Sequence, residues 1–422
     1  MKTRREYLIA GFTGAIVVST PWVSQAAGDI VIKDATAITE VYGHGLRLVG
    51  VALRFDTDIA SSSLSREGFS VEGRTVTNVT AARSPDPSDA AASGHFVIVM
   101  LDPEDASARL YSTSGRDVIR GERIATLQLT KPIGATNGGS YPAAVAPITT
   151  SSAVNLVVDD FEQRSFDDKE NGITLRYNLF IPRNYDRTKT YPLVNFMHDA
   201  SVTSKIIDTT LIQGLGAVVW ARPEEQAKRP CFVLAPQFDV AVVNDRSEVT
   251  GHIDTVVRLI RKLTEEFSID RKRLYTTGQS GGGMLCIAID IKYPDLFAAS
   301  FLVACQWDAT LVAPLAKDKL FIVVAAEDAK AYPGQNAITE RLETLGVTVN
   351  RAVWNGRWTA DEFEHAYRAM VAQGAQVNYI VLKEGTVIPD GVNKEGAAGH
   401  MNTWPIAYTI EGVREWLFNQ SS

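Results

Sequence analysis

The stretch Thr277-Gly278-Gln279-Ser280-Gly281-Gly282-Gly283 contains the pattern Gly-x-Ser-x-Gly and joins two segments of different periodicity. Residues 273–277 before it form a short β-type run, and residues 284–291 after it form an apolar helical run. A serine in such a strand–turn–helix connection has a strained backbone, so positions 278 and 282 must lack side chains that would clash with it. The pattern therefore predicts a sharp turn that presents the Ser280 hydroxyl above the end of a strand.

The region around this turn alternates between predicted strands and helices. It opens with the hairpin signal Lys169-Glu170-Asn171-Gly172, which lies between two strand-like runs. Continuous apolar runs, typical of strands buried on both faces, occur at residues 191–197, 231–235, 297–304 and 319–325. Helices are predicted over residues 251–267, 336–345, 359–373 and 406–419. This alternation, together with the serine turn, predicts an α/β-hydrolase fold over residues 156–422: a mostly parallel sheet with helices on both faces.

The preceding region, residues 27–155, has a different pattern. Short alternating runs separated by turn residues lie at 46–55, 75–82, 95–101 and 124–129, and we find no amphipathic helix among them. Strands at this spacing predict a small β-sandwich of the immunoglobulin-like kind. It contains no constellation of chemically active residues, so three roles remain open: shielding the mouth of the active site, self-association, or binding a polymer.

Residues 1–26 have the features of an export signal. Thr3-Arg4-Arg5-Glu6-Tyr7-Leu8-Ile9 resembles the twin-arginine signal, and Ser24-Gln25-Ala26 fits a cleavage site. The apolar stretch between them, residues 8–18, is about half of what a membrane span needs. We therefore expect a mature protein in the periplasm or outside the cell, with no stable membrane insertion. An uncleaved N-terminal anchor is the alternative.

Composition excludes several classes of protein. Of the 422 residues, 45% are apolar and 22% charged, as in ordinary globular proteins, and the formal net charge of −7 gives no basic field for nucleic acid. The three cysteines, Cys231, Cys286 and Cys305, lie in apolar runs and are expected to be buried free thiols, with a Cys286–Cys305 disulfide as the alternative. They show no metal-ligand spacing, and we predict neither a metal nor a cofactor.

A serine nucleophile needs a histidine to accept its proton and a carboxylate to orient that histidine. Of the two histidines after Ser280, His365 lies within a predicted helix, whereas His400 lies in a glycine-rich stretch that reads as a flexible loop before the last helix. We therefore expect His400 to be the base. The acid should follow the predicted strand 319–325, where Asp328 is preferred because it lies further out on the turn.

Two further carboxylates remain open as the acid: Glu327 as runner-up, and Asp308 as the third candidate. The oxyanion of the reaction needs two N–H donors, one of which should be the backbone of Gly281. The other should come from the loop His198-Asp199-Ala200-Ser201, with Asp199 as the candidate. The candidates for the wall of the substrate pocket are His198, Gln279 and Trp307.

Several motifs together resemble one family. They are Tyr177-Asn178-Leu179-Phe180-Ile181-Pro182, Tyr191-Pro192-Leu193-Val194, Ala235-Pro236-Gln237, Gly278-Gln279-Ser280-Gly281-Gly282 and Glu415-Trp416-Leu417-Phe418-Asn419-Gln420. In this order they look like the two-domain bacterial serine esterases with an immunoglobulin-like N-terminal domain, related to the polyhydroxybutyrate-depolymerase and feruloyl-esterase branch of the α/β-hydrolases. The resemblance implies a triad of Ser280, Asp328 and His400. It also implies hydrolysis of short or aryl carboxylic esters, with a small-molecule ester or a polyester as substrate.

The sequence departs from this family in two places. The family usually has His-Gly in the oxyanion loop, whereas this chain has His198-Asp199, and a carboxylate there disfavours an oxyanion unless it points away. The interval from Asp328 to His400 is also long. Two other functions stay open. One is a serine peptidase of the prolyl-oligopeptidase type, whose catalytic domains share the serine turn, although the lack of propeller-like repeats argues against it. The other is a catalytically weak binding protein, which Asp199 suggests.

Overall fold

A computed structural model describes residues 31–114, 117–143 and 146–422. The predicted export signal at residues 1–26 lies outside the described residues. Among the helices that the structure does describe, none is long and apolar enough to cross a membrane.

The N-terminal part is built from strands. Their bounds are β1 Ile32–Tyr42, β2 Gly45–Ala60, β3 Phe69–Val71, β4 Val76–Ala82, β5 Ala90–Ala91, β6 Ser93–Leu101, β7 Tyr111–Ser114, β8 Asp117–Arg120, β9 Thr126–Leu129, β10 Ile133–Gly134, β11 Ser140–Tyr141, β12 Ile148–Thr149 and β13 Ser152–Asn155. One sheet has the order β13-β1-β2-β6-β4-β5 and a second has the order β12-β9-β3. Side chains of both sheets, among them Val51, Val97 and Leu127, share one apolar core. The predicted β-rich domain is therefore present.

The C-terminal part contains a nine-stranded sheet with the order β14-β15-β17-β16-β18-β19-β20-β22-β21. Its strands are β14 Phe161–Asp168, β15 Ile173–Phe180, β16 Tyr191–Met197, β17 Phe232–Gln237, β18 Ile269–Gln279, β19 Ala299–Val303, β20 Leu320–Ala325, β21 Val349–Trp354 and β22 Val377–Leu382. Strand β15 runs antiparallel to both of its neighbours, and the pairs from β17 to β21 are parallel. The hairpin between β14 and β15 turns at Gly172, whose φ of 65° suits glycine.

Helices accompany this sheet, as the α/β-hydrolase prediction requires. They are α1 Thr209–Ile212, α2 Leu215–Val218, α3 Pro223–Lys228, α4 His252–Glu266, α5 Gly281–Lys292, α6 Ala331–Thr344, α7 Ala360–Val371, α8 Ala398–Thr409 and α9 Glu411–Phe418. Helix α4 buries Ile253, Val256, Val257, Ile260 and Leu263 at the predicted helical spacing, because this stripe faces the sheet.

The C-terminal helix differs from the prediction of one helix over residues 406–419. Two helices occupy this region, and His400 lies in the first turn of α8 rather than in a flexible loop. Backbone conformation and close packing, rather than a flexible loop, require the glycines of this stretch. Gly396 has a φ of 64° just before α8, and a Cβ on Gly399 would lie 2.9 Å from the Cβ of Glu327. Close packing of α8 on the segment after β20 therefore outweighs the weak helix propensity of glycine.

The two parts of the chain contact each other near the end of β16. Strand β8 packs against residues 200–202, and the Arg120 guanidinium donates to the Asp208 carboxylate at 2.6 Å. On the other side, a Cβ on Gly43, in the turn between β1 and β2, would lie 2.4 Å from the Cβ of Pro405 in α8. The β domain therefore contacts both the loop after β16 and the helix that carries His400.

Candidate active site

The Ser280 turn has the geometry that its glycines predict. Strand β18 ends at Gln279 and α5 begins at Gly281, and between them Ser280 has φ 53° and ψ −124°. A Cβ on Gly278 would lie 2.4 Å from the carbonyl carbon of Gly282, and a Cβ on Gly282 would lie 1.9 Å from the carbonyl oxygen of Met197. Both glycines are therefore needed because backbone occupies the space that a side chain would fill.

Three side chains from distant parts of the chain meet at this turn. His400 Nε2 lies 2.8 Å from Ser280 Oγ, and His400 Nδ1 lies 2.5 Å from Asp328 Oδ2. Because the carboxylate accepts from Nδ1–H, Nε2 is left as the acceptor for the serine hydroxyl. The ring of Trp404, one turn further along α8, lies edge-on to the imidazole at a centroid distance of 5.4 Å. The arrangement can move a proton from the serine to the histidine.

The Asp328 carboxylate is buried and held from both sides. Its Oδ1 accepts from the backbone N–H of Lys330 at 3.1 Å and of Ala331 at 2.9 Å. Burial raises the pKa of Asp328, but the hydrogen bond and charge of His400 and these backbone donors bring that pKa below its ordinary value. Asp328 is therefore ionised at neutral pH and fixes the orientation of the imidazole.

The other acid and base candidates have no hydrogen bond to the triad, although Glu327 also lines the cavity beside Ser280. Glu327 Oε1 accepts from the backbone N–H of Gly385 at 2.6 Å, and Asp308 accepts from the backbone N–H and hydroxyl of Thr310. His365 is exposed on α7. Of the sequence candidates, only Asp328 and His400 are hydrogen-bonded into a chain with Ser280.

At the oxyanion loop the structure brings Ala200, rather than Asp199, against Gly281. A Cβ on Gly281 would lie 3.3 Å from the backbone nitrogen of Ala200, and both residues line the cavity beside Ser280. The Asp199 carboxylate is buried and points away: Oδ1 accepts from the backbone N–H of Ser201 at 2.8 Å, and Oδ2 from Gln279 Nε2 at 3.2 Å. The Asp-x-Ser spacing, typical of a capped turn, is the sequence signal for this orientation.

The three pocket candidates do not line this cavity. The ring of His198 is buried, with Nδ1–H donating to the Asp199 carbonyl at 2.7 Å and Nε2 accepting from the Phe238 N–H at 3.0 Å. Gln279 points back into the protein, where it bonds Asp199, and Trp307 packs in the apolar core that includes α5. Each side chain is held by its neighbours in a direction that the sequence does not reveal.

Other residues form the wall of the cavity, which has a volume of about 570 Å³. Its apolar side chains include Ala200, Ala241, Val243 and Met284, and its polar ones outside the triad are Asn244, Asp245, Gln306, Glu327 and Lys330. Asp245 accepts from Lys330 Nζ at 2.7 Å and from Gln306 Nε2 at 3.2 Å, so the charges of Asp245 and Lys330 are paired. The segment at 241–245 follows β17 as an irregular loop, and we find no motif in it that could have predicted this role.

A larger cleft of about 810 Å³ lies between the two parts of the chain, lined by Glu40, Asp208 and Arg222 among others. It contains none of the candidate triad residues, so the smaller cavity at Ser280 is the candidate active site. Among the described residues, no group of three or more His, Cys, Asp or Glu side chains is arranged to hold a metal ion.

All three cysteines are free and buried. Cys286 Sγ lies 3.2 Å from the hydroxyl of Thr276, and Cys305 Sγ lies 3.4 Å from Gln335 Nε2. The alternative of a Cys286–Cys305 disulfide is therefore not realised.

A serine on a strained strand–helix turn, a histidine bonded to it and a buried aspartate, all at the end of a mixed sheet, define a serine hydrolase of the α/β-hydrolase fold. Residues 34–159 match the family model described as the esterase Ig-like N-terminal domain. A crystal structure of a thermostable esterase is 25% identical, with a TM-score of 0.78, over 93% of this chain and 100% of that chain. The chain is thus a two-domain serine ester hydrolase with an immunoglobulin-like N-terminal domain.

Two further solved structures have lower similarity to the chain. The feruloyl esterase module from Clostridium thermocellum is 14% identical with a TM-score of 0.41, over 60% of this chain and 86% of that chain. The serine hydrolase FphF of Staphylococcus aureus is 12% identical with a TM-score of 0.40, over 61% of this chain and 98% of that chain. None of the curated protein sequences compared with the chain matches it significantly.

Proposed function

We propose that the protein is an exported carboxylesterase that hydrolyses short-chain or aryl carboxylic esters through an acyl-enzyme intermediate on Ser280. The observation that carries this proposal is the position of His400, which is hydrogen-bonded to Ser280 Oγ on one side and to the buried Asp328 carboxylate on the other. Export rests on the twin-arginine pattern of residues 1–26, from which we infer a periplasmic or extracellular location.

In the first half of the reaction, Ser280 Oγ attacks the ester carbonyl carbon while His400 Nε2 takes the hydroxyl proton. The tetrahedral intermediate bears its negative charge on the former carbonyl oxygen, and the backbone N–H groups of Gly281 and Ala200 are the donors that we assign to it. His400 then gives its proton to the departing alcohol. Asp328 stays ionised throughout and stabilises the imidazolium that forms.

In the second half, a water molecule gives a proton to His400 Nε2 and attacks the acyl carbon. Collapse of the second tetrahedral intermediate releases the carboxylic acid and returns the proton to Ser280 Oγ. No residue beyond those of the triad and the two backbone donors is needed for this sequence.

The cavity supports the choice of substrate. Its volume of about 570 Å³ is within the usual range for small-molecule sites, and Ala241, Val243 and Met284 give it an apolar side for a short acyl or an aryl group. The Asp199 carboxylate, on which the alternative of a binding protein depends, is bonded to Ser201 and Gln279 and so points away from the position of the oxyanion.

The proposal is tested by measuring turnover of nitrophenyl acetate, butyrate and benzoate against matched aminoacyl nitroanilides. We expect ester hydrolysis that falls about 10⁴-fold or more in Ser280→Ala and in His400→Ala. His365→Ala is the matched control, since this exposed histidine contacts no member of the triad, and it should keep wild-type turnover. Hydrolysis of the amides but not the esters would favour a peptidase, and absence of serine-dependent turnover of either would favour a binding protein.

A further inference from the structure

The peptide between Asp199 and Ala200 is held by a side chain that does not reach the cavity. The carbonyl oxygen of Asp199 accepts a hydrogen bond from His198 Nδ1–H at 2.7 Å. In a trans peptide the C=O and the N–H point in opposite directions, and the described residues contain no cis peptide bond. The Ala200 N–H therefore points away from His198. Gly281 lies close by, since a Cβ on it would be 3.3 Å from the Ala200 nitrogen.

The imidazole of His198 is itself fixed in one state. Its Nε2 accepts from the backbone N–H of Phe238 at 3.0 Å, which leaves the ring proton on Nδ1, and the Phe238 ring packs against it at a centroid distance of 5.1 Å. Burial lowers the pKa of His198 below the ordinary value for imidazole, so the ring is neutral at neutral pH. A neutral ring with this tautomer has one donor, and that donor is used on the Asp199 carbonyl.

We propose that His198 is a positioning residue of the oxyanion hole: its Nδ1–H holds the Asp199 carbonyl so that the Ala200 N–H faces the oxygen that becomes negative. This inference rests on the proposed function and adds to it a residue that touches neither substrate nor cavity. It also accounts for the Asp199 side chain. That carboxylate holds the next peptide, Ala200–Ser201, through the Ser201 N–H, and it also accepts from the Ser201 hydroxyl and from Gln279.

Two substitutions separate the two hydrogen bonds of His198. The amide nitrogen of Asn can take the place of Nδ1, so His198→Asn keeps the bond to the Asp199 carbonyl and loses the acceptor for Phe238. The amide oxygen of Gln reaches the place of Nε2, so His198→Gln keeps the acceptor for Phe238 and loses the bond to Asp199. Both variants remove the aromatic ring and lose one buried hydrogen bond, which makes them a matched pair.

We expect kcat for nitrophenyl butyrate to fall about 10- to 100-fold in His198→Gln, below the 10²–10³-fold typical of complete loss of an oxyanion donor. In His198→Asn it should stay within about fivefold of wild type. KM should change little in either variant, because the oxyanion exists only in the transition state. The reverse order of kcat, equal losses in both variants, or losses confined to KM would each overturn the proposal.

A second measurement needs no variant. The protein has six histidines, and ¹⁵N labelling of histidine allows the tautomer of each neutral ring to be read from its nitrogen shifts. We expect His198 to carry its proton on Nδ1, and a proton on Nε2 would overturn the proposal even if neither variant folds. Wild-type turnover is measured first: its absence would refute the proposed esterase function, whereas normal turnover with the wrong tautomer refutes only the role of His198.

Discussion

Gly282→Ala places a methyl group where the backbone leaves no room for one. The new Cβ would lie 1.9 Å from the Met197 carbonyl oxygen, 2.5 Å from its carbonyl carbon and 2.8 Å from the His198 carbonyl oxygen. Relief requires a backbone movement of roughly 1 Å or more, since such atoms normally keep at least about 3 Å apart. Met197 ends a fully buried strand, so we expect the movement to fall on the Ser280 turn.

A shift of this size at Ser280 would break the 2.8 Å contact with His400 Nε2. Misplacement of a reacting group by about 1 Å costs on the order of 10² in rate, and overpacking costs about 1–3 kcal/mol of unfolding free energy. We therefore expect kcat for nitrophenyl butyrate to fall about 100-fold or more. The urea midpoint should fall as well.

Gly134→Ala is the control for a glycine-to-alanine change as such. Its Cβ would meet nothing closer than the Cβ of Ser63 at 3.9 Å, and Gly134 lies in the β domain, so kcat and the urea midpoint should both stay near wild type. A Gly282→Ala variant with wild-type kcat and stability would refute the reasoning, because the turn would then accommodate a methyl group where the structure places the backbone of Met197 and His198.

Three further predictions follow from the structure. Asp328→Asn should lower kcat about 10⁴-fold with little change in KM, because the amide no longer fixes the imidazole tautomer; a loss below tenfold in steady-state kinetics would move the acid role to another carboxylate. Burial and the Asp295 carboxylate raise the pKa of Asp318 to about 7, above the value near 4 of an unfolded chain, so its protonated form is favoured by folding. The stability that Asp318 contributes should therefore be lost as pH rises from about 4 to 7, so the difference in unfolding free energy between the wild type and Asp318→Asn, measured in urea titrations, should fall over this range; a difference that does not change with pH would contradict it. The three thiols should resist a disulfide-exchange reagent in the native protein and all react in denaturant, whereas fewer reactive thiols in denaturant would indicate a disulfide.

The parts of the site that the sequence predicted are those with a local cause. Ser280 was identified because its glycines are needed by the backbone within the same short stretch, and Asp328 because a turn after a buried strand opens at the sheet edge. Elimination between two histidines predicts His400 as the base, but the predicted loop around it is the first turn of α8. The prediction of a flexible loop at His400 is wrong because Gly399 is required by close contact with Glu327, which is distant in sequence.

The cavity wall could not be predicted for a related reason. Whether a side chain faces the cavity depends on which other residues form hydrogen bonds with it. Gln279 is hydrogen-bonded to Asp199 and Gln213, which are distant from it in the sequence. The same holds for Asp199, whose carboxylate is turned away from the oxyanion position by its hydrogen bonds with Ser201 and Gln279. Sequence periodicity predicts which face of an element is apolar, but it carries no information about these long-range hydrogen bonds.

The central claim is that Ser280 is activated as a nucleophile by His400, and covalent labelling tests it most directly. A fluorophosphonate reacts with an activated serine, whose oxygen bonds the phosphorus and displaces fluoride. Intact-mass analysis after this treatment should show one adduct per chain, located on Ser280 by peptide mapping. The adduct should be absent from Ser280→Ala, slower by about 10³-fold or more in His400→Ala, and formed at the wild-type rate in His365→Ala. Labelling at another residue, or equal labelling rates with and without the imidazole of His400, would contradict the account.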